Sequence, residues 1–184
     1  MNEPDSELVE AAKRGDVDAF TDLVRYCQAD VFRLLKYQVG DADLAADLAQ
    51  ETFLRVHQRL PEFRGDASFS GWILRIARNQ GIDALRSRTR RLRLINRLAG
   101  GLRAVPMTRH AEGESQTELS AALATLPDQN REAFVLVEVL GYKYREAALV
   151  LAVPDGTVKG RVFRARKQLI DWFDAVPIES GERR

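Results

Sequence analysis

A proline and a glycine two residues apart interrupt the most regular stretch of this chain, GYKYREAALVLAVPDGTVKGRVFRARKQLIDWF, which runs from Gly141 to Phe173. Proline lacks the amide that a helix interior needs, and glycine tolerates turn geometry. The stretch is therefore predicted to form two helices around a tight turn. The first runs from about Tyr144 to Leu151, where Ala147 and Ala148 let a second helix pack close. The break covers Val153 to Gly156, and the next helix opens near Thr157. On that second helix Val158, Val162, Ala165, Leu169 and Trp172 recur at steps of four and three, one stripe facing a core.

The opposite face is more informative. At about 100° per residue, Gly160, Phe163, Arg164 and Lys167 point away from the apolar stripe, with Lys159 and Arg161 on the flanks. A purely solvated face gains nothing from an outward phenylalanine. A helix lying in a DNA major groove does, because Lys and Arg reach phosphates and guanine edges while an aromatic ring packs on a thymine methyl. A DNA-reading helix-turn-helix is the reading that uses all of these residues.

Charge segregation agrees with it. The net charge is only +1. Yet Met1 to Asp66 holds 8 Lys and Arg against 14 Asp and Glu, whereas Ala67 to Arg109 holds 10 arginines against Asp83 alone. An acidic end and two basic zones point to two kinds of partner, one of them nucleic acid. Composition excludes other classes. With 45% hydrophobic and 30% charged residues the chain is ordinary for a soluble globular protein. It has no apolar run of the roughly 18–20 residues that span a bilayer, and MNEPDSELVE does not resemble a secretory signal, so no membrane insertion and a cytoplasmic location are expected. Cys27 is the single cysteine, with His57 and His110 the only histidines, so neither an internal disulfide nor a Cys/His zinc site is expected. Neither a cofactor nor a catalytic constellation is indicated.

In chain order, SELVEAAKRG and VDAFTDLVRYCQADVFRLLKYQVG read as helices, the second capped by Asp16. After Gly40 and Asp41 a third follows, with Leu44, Leu48, Thr52, Leu54, Val56 and Leu60 as its apolar set. Asp43, Asp47, Gln50 and Glu51 occupy much of its remaining surface. Such a face either receives arginines from a partner or is simply solvated. Pro61 ends that helix. The loop PEFRGDASFSGW then holds Phe63 and Phe69, each expected to be a buried anchor, in a setting able to stack on an extruded base.

From Ser68, an N-cap candidate, a long helix is predicted, with Trp72, Ile73, Ile76, Ala77 and Ala84 on one stripe. Arg75, Arg78, Asn79 and Arg86 lie away from it, and Leu74, Ile82 and Leu85 suggest packing on a second face. The arginines from Arg86 to Arg97 attract a phosphate backbone and should make binding salt-sensitive. Residues 99–116, with paired glycines and a proline, have linker chemistry. Two further helices, around Leu119, Leu123 and Leu126 and around Phe134, Val137 and Leu140, are expected to support the helix-turn-helix.

DLAADLAQETFLRVHQRLPEFRGDASFSGWILRIARNQGIDALR resembles region 2 of the sigma-70 family, and LATLPDQNREAFVLVEVLGYKYREAALVLAVPDGTVKGRVFRARKQL resembles its region 4. With only a linker between them, the chain resembles the extracytoplasmic-function (ECF) class of sigma factors. The resemblance implies an all-α fold of two small helical domains: region 2 over residues 1–97, a linker over 98–116, region 4 over 117–174 and a tail over 175–184. It implies that Asp43, Asp47, Gln50 and Glu51 dock on the β′ clamp helices of core RNA polymerase, with the β subunit as a further contact. It places Arg64, Asp66, Ser68, Phe69, Trp72, Arg75, Arg78, Asn79 and Arg86 at the minus-ten element. Thr157, Lys159, Gly160, Phe163, Arg164 and Lys167 fall at the minus-35 element. An anti-sigma factor is a further partner that family membership implies.

Three positions depart from the family pattern. Position 160 is glycine where serine is usual, Lys159 stands where arginine is common and loses its fork of donors, and Lys143 replaces a Ser or Thr cap. A free-standing helix-turn-helix regulator is the rival reading, and it leaves the acidic helix and the aromatic loop without a use.

Overall fold

A computed structural model of the chain describes residues 3–65, 68–98 and 118–175. Among these residues every regular element is helical. The helices are α1 (Ser6–Lys13), α2 (Val17–Val39), α3 (Ala42–Arg59), α4 (Phe69–Leu98), α5 (Glu118–Thr125), α6 (Asp128–Phe134), α7 (Tyr144–Leu151) and α8 (Asp155–Ala175). A 3-10 turn, Leu60–Glu62, follows α3, and a π turn, Val135–Val139, continues α6. Apart from Leu98, which ends α4, and Ala175, which ends α8, the linker expected over 98–116 and the tail expected over 175–184 lie outside the described residues.

The starts of the first four helices are set locally. Asp5, Asp16 and Asp41 each accept a hydrogen bond, at 3.0 Å, from the amides of Glu7, Ala19 and Leu44, and Ser68 Oγ accepts from Gly71 at 3.1 Å. Each such bond satisfies one of the amides left orphaned at a helix N-terminus. Gly40, at φ 72°, ends α2 in the left-handed conformation and returns its N–H to the Lys36 carbonyl.

Buried apolar side chains join into one core cluster that runs through both helical units. Leu23, Val31, Leu34 and Leu35 of α2 pack with Val56 of α3 and Ile73 of α4, while Leu123, Leu136, Val150, Val158 and Val162 fill the α5–α8 unit. Cys27, on α2, lies in this core, where burial pushes its thiol up to about 12. Because the folded value lies above the ordinary thiol range, this contribution to stability is present below that range and lost as pH rises toward 12. At pH 8, Cys27 should react with a thiol reagent only as fast as its domain opens; reaction at the rate of a free thiol would contradict this burial.

The helix-turn-helix differs from expectation in where it turns. The reversal falls at Ala152, a non-glycine residue at φ 54°, whose N–H bonds the Ala148 carbonyl. That conformation costs an L-residue about 1–2 kcal/mol. Helix α8 then opens at Asp155, two residues earlier than predicted, because first-turn amides need no intrahelical acceptor and tolerate Asp and Gly. At α7, Lys143 supplies no acceptor, but Glu146 Oε2 accepts its N–H at 2.7 Å, so half of a capping box survives.

The two helical units touch. Helix α4 packs on α7, and α2 packs on α5 and α6. The second packed face predicted for α4 is part of this contact: Leu74 is buried, and a Cβ built on Gly71 would lie 3.9 Å from Val150. Tyr142 inserts beside Cys27, Asp30 and Ser70. Burial, with the Asp30 carboxylate nearby, holds the Tyr142 phenol well above its usual range.

Candidate nucleic-acid interface

Three surfaces carry the residues singled out in the sequence. On α8, Val158, Val162, Ala165 and Leu169 are buried, and Phe163 on the opposite side is 69% exposed. Lys159, Arg164 and Lys167 are exposed beside it, with Thr157 and Gly160 half-buried. Arg161 and Arg166 are turned toward α6 and its π turn, donating to Gln129 at 2.9 Å and Glu138 at 2.7 Å. They brace α8, whereas Arg164 folds back over Gly160, where an added Cβ would sit 3.5 Å from its Nη1. Lys159 lies 3.4 Å from Asp155 and 5.9 Å from the Tyr144 ring centroid, exposed contacts that are weak enough to exchange for a phosphate.

On α3, Asp43, Asp47, Gln50 and Glu51 are all exposed. Leu54, placed by the sequence reading among the apolar residues of this helix, is instead 65% exposed. Its angular position explains the correction. At about 100° per residue it falls within roughly 40° of Asp43, Asp47 and Gln50, opposite the buried Ala45, Leu48, Thr52 and Val56. The helical angle was the signal that could have found its exposure.

The third surface joins the loop after α3 to α4. Phe69, expected both as a buried anchor and as a minus-ten contact, is the anchor. It is 3% exposed, with its ring 5.4 Å from Phe63 and 6.0 Å from the half-buried Trp72. Its side chain is therefore unavailable to a base in this conformation. Arg64 is exposed, Ser68 caps α4, and Asp66 lies outside the described residues. Along α4, Arg75, Asn79 and Arg86 are exposed within about 40° of one another.

Arg78 behaves differently. Its Nε and Nη2 donate to Glu132 Oε2 of α6 at 3.0 and 2.9 Å, with the two side chains only 18% and 7% exposed. Gln38 Nε2 donates both to the Arg78 carbonyl, at 3.0 Å, and to Glu132 Oε1, at 3.3 Å. Glu132 is thus a buried ion-pair partner. Nothing in its local sequence reports this, because Arg78 is 54 residues away. Glu3 was missed for the same reason: its carboxylate accepts from the Phe69 amide at 2.8 Å and from the Ser70 amide at 3.4 Å, at the start of α4. Among the described residues, no cluster of three His, Cys, Asp or Glu side chains could hold a metal ion, and no helix is long and apolar enough to cross a membrane.

The fold is all-helical, with cations and Phe163 exposed on α8 and a separate acidic face exposed on α3. Residues 23–91 match the family model for sigma-70 region 2, and residues 116–169 match that for sigma-70 region 4. The chain is 37% identical to the ECF RNA polymerase sigma factor SigC of Mycobacterium tuberculosis, over 92% of this chain and 90% of that one. It is 34% identical to the RNA polymerase sigma-H factor of Pseudomonas aeruginosa, over 91% and 92% of the two chains. Among solved structures, CnrH in complex with the cytosolic domain of CnrY superposes with a TM-score of 0.70 at 27% identity, covering 91% of this chain and 96% of that one. The chain belongs to the sigma-70 family, as an ECF-class RNA polymerase sigma factor. It directs core RNA polymerase to specific promoters and promotes strand opening there. Sigma factors are initiation factors rather than enzymes.

Proposed function

We propose that the three surfaces divide the work of initiation. The face of α3 formed by Asp43, Asp47, Gln50 and Glu51, now with Leu54 at its centre, docks on the β′ clamp helices of core polymerase. Arg64, Asp66, Ser68, Trp72, Arg75, Arg78, Asn79 and Arg86 hold the minus-ten strand, and Phe69 supports that surface from beneath. Thr157, Lys159, Gly160, Phe163, Arg164 and Lys167 read the minus-35 duplex. The domains act as units over residues 1–97 and 117–174, joined by the linker 98–116, and the chain contributes no catalytic group of its own. It acts in the cytoplasm with polymerase. An anti-sigma factor is its further partner; the structural relative CnrH is likewise found bound to a second protein, the cytosolic domain of CnrY.

The observation that carries this reading is the exposure of Leu54 and Phe163 at 65% and 69%, on helices of opposite surface charge. One faces a basic protein surface and the other faces DNA. Capture of unstacked bases must offset a few kcal/mol per extruded base, and two contacts on one duplex reinforce each other once the first is made. Neither domain needs high affinity alone. Gel-shift measurements on a duplex bearing both promoter elements test this: the chain with core polymerase should retain it tightly, and the chain alone weakly. Tight, specific binding without core would favour the free-standing regulator. In the same assay Arg164→Ala should weaken the complex about tenfold or more, through the minus-35 half alone, with core retention unchanged. Equal loss of core affinity would contradict the assignment.

A further inference from the structure

An acid at the head of α4 needs a reason. That end of the helix belongs to the surface proposed to hold the minus-ten strand, where a carboxylate repels phosphates and lowers affinity for nucleic acid. Glu3 stands there nonetheless, and its Oε2 accepts from the amides of Phe69 and Ser70 at 2.8 and 3.4 Å. Ser68 Oγ takes the next amide, that of Gly71, at 3.1 Å. The first amides of α4 are thus satisfied by two side chains, one of them 66 residues away in the chain. Charge-assisted bonds to the positive end of a helix hold its first turn closed.

The same segment braces the other flank of the loop before α4. Helix α1 buries Val9 and Ala12 and packs on α2 and on the 3-10 turn Leu60–Glu62, which leads into that loop. The chain from Glu3 to Lys13 therefore contacts the structure on both sides of the loop. Phe63, just after the turn, and Phe69, at the start of α4, lie ring to ring at 5.4 Å, and Phe63 lies 5.1 Å from the half-buried Trp72. Fixing the Phe69 backbone fixes the ring layer against which Trp72 rests.

We infer that Glu3 is a positioning residue for strand capture. Through the Phe69 and Ser70 amides it holds the loop and the layer of Phe63, Phe69 and Trp72 in the arrangement that receives an unpaired strand, so less ordering is left to the moment of binding. This rests on the reading of α4 as the minus-ten surface. Glu3 itself touches no base. The sign of its effect separates this role from a bystander's: removing a mere surface acid relieves repulsion and strengthens DNA binding, whereas removing a positioning acid weakens it.

Glu3→Ala and Glu3→Gln, each in the full chain, supply the test. In the free protein, hydrogen exchange followed by nuclear magnetic resonance should show the Phe69 and Ser70 amides of Glu3→Ala exchanging about tenfold faster, as expected for a lost helix cap, with the amides of α2 unchanged. With core polymerase on genomic DNA fragments, permanganate reactivity of unpaired thymines and run-off yield should both fall about tenfold, at unchanged start sites and with unchanged core retention. Glu3→Gln keeps an acceptor oxygen without the charge and should fall between the two. Unchanged amide exchange overturns the proposal, and so does faster exchange with transcript yield unchanged or raised, or an equal loss of core retention. A parental chain that opens none of the fragments is a different failure: the reading of α4 is then wrong, whatever the amides do, and this inference falls with it.

Discussion

Changing Asp47 and Glu51 together to lysine leaves a chain that core RNA polymerase no longer retains, with its helix content intact. Both side chains are exposed on α3, and the nearest charge partner of Glu51 is Arg55, in an exposed pair with each side chain 49% accessible. Pairs of that kind contribute about 0–1 kcal/mol to folding, so the double reversal barely affects stability. At the proposed interface with core polymerase the same charges would meet a basic surface. Close charge pairs there couple by about 1.5–7 kcal/mol, and two reversals turn attraction into repulsion. A loss of at least about 100-fold in core affinity follows, measurable by co-elution or by fluorescence titration of core. Retention at the parental level would remove α3 from the polymerase interface.

Leu35→Ala should be the most damaging single change to the fold. Leu35 is 0% exposed on α2, the helix on which α1, α3 and α4 all pack. Truncating a leucine so enclosed typically costs about 2–5 kcal/mol, which for a domain of this size lowers Tm by about 10–30 °C. Leu54→Ala deletes the same atoms from a surface site and should leave stability within about 0.5 kcal/mol. Thermal unfolding followed by circular dichroism compares the two. Similar losses in both would mean that Leu54 is packed in solution and that α3 has no free docking face.

The helices were legible in the sequence because their information is local. Aspartate and serine caps, Gly40, the stripe on α8 and the outward Phe163 all depend on residues within a few positions of each other, and spacing alone places them. What was not legible depends on distant partners. Arg78 and Arg75 look alike on a helical projection, and only the packing of the two units, through α4 on α7 and α2 on α6, gives one of them a buried carboxylate, Glu132. Phe69 shows the same limit: its loop marked it as a buried anchor while the family resemblance put it at the minus-ten element, and contact with Phe63 and Trp72 decided for the core. Leu54 was within reach, since its angle on α3 separates it from the buried leucines. It was grouped by residue type rather than by direction.

The most direct test of the division of labour is run-off transcription with purified components, mapping RNA 5′ ends made by core polymerase with and without this protein on genomic DNA fragments. The account predicts new, discrete start sites that appear with the parental chain and vanish with the Asp47→Lys and Glu51→Lys double variant. Core that binds the protein yet initiates at the same positions as core alone would contradict it.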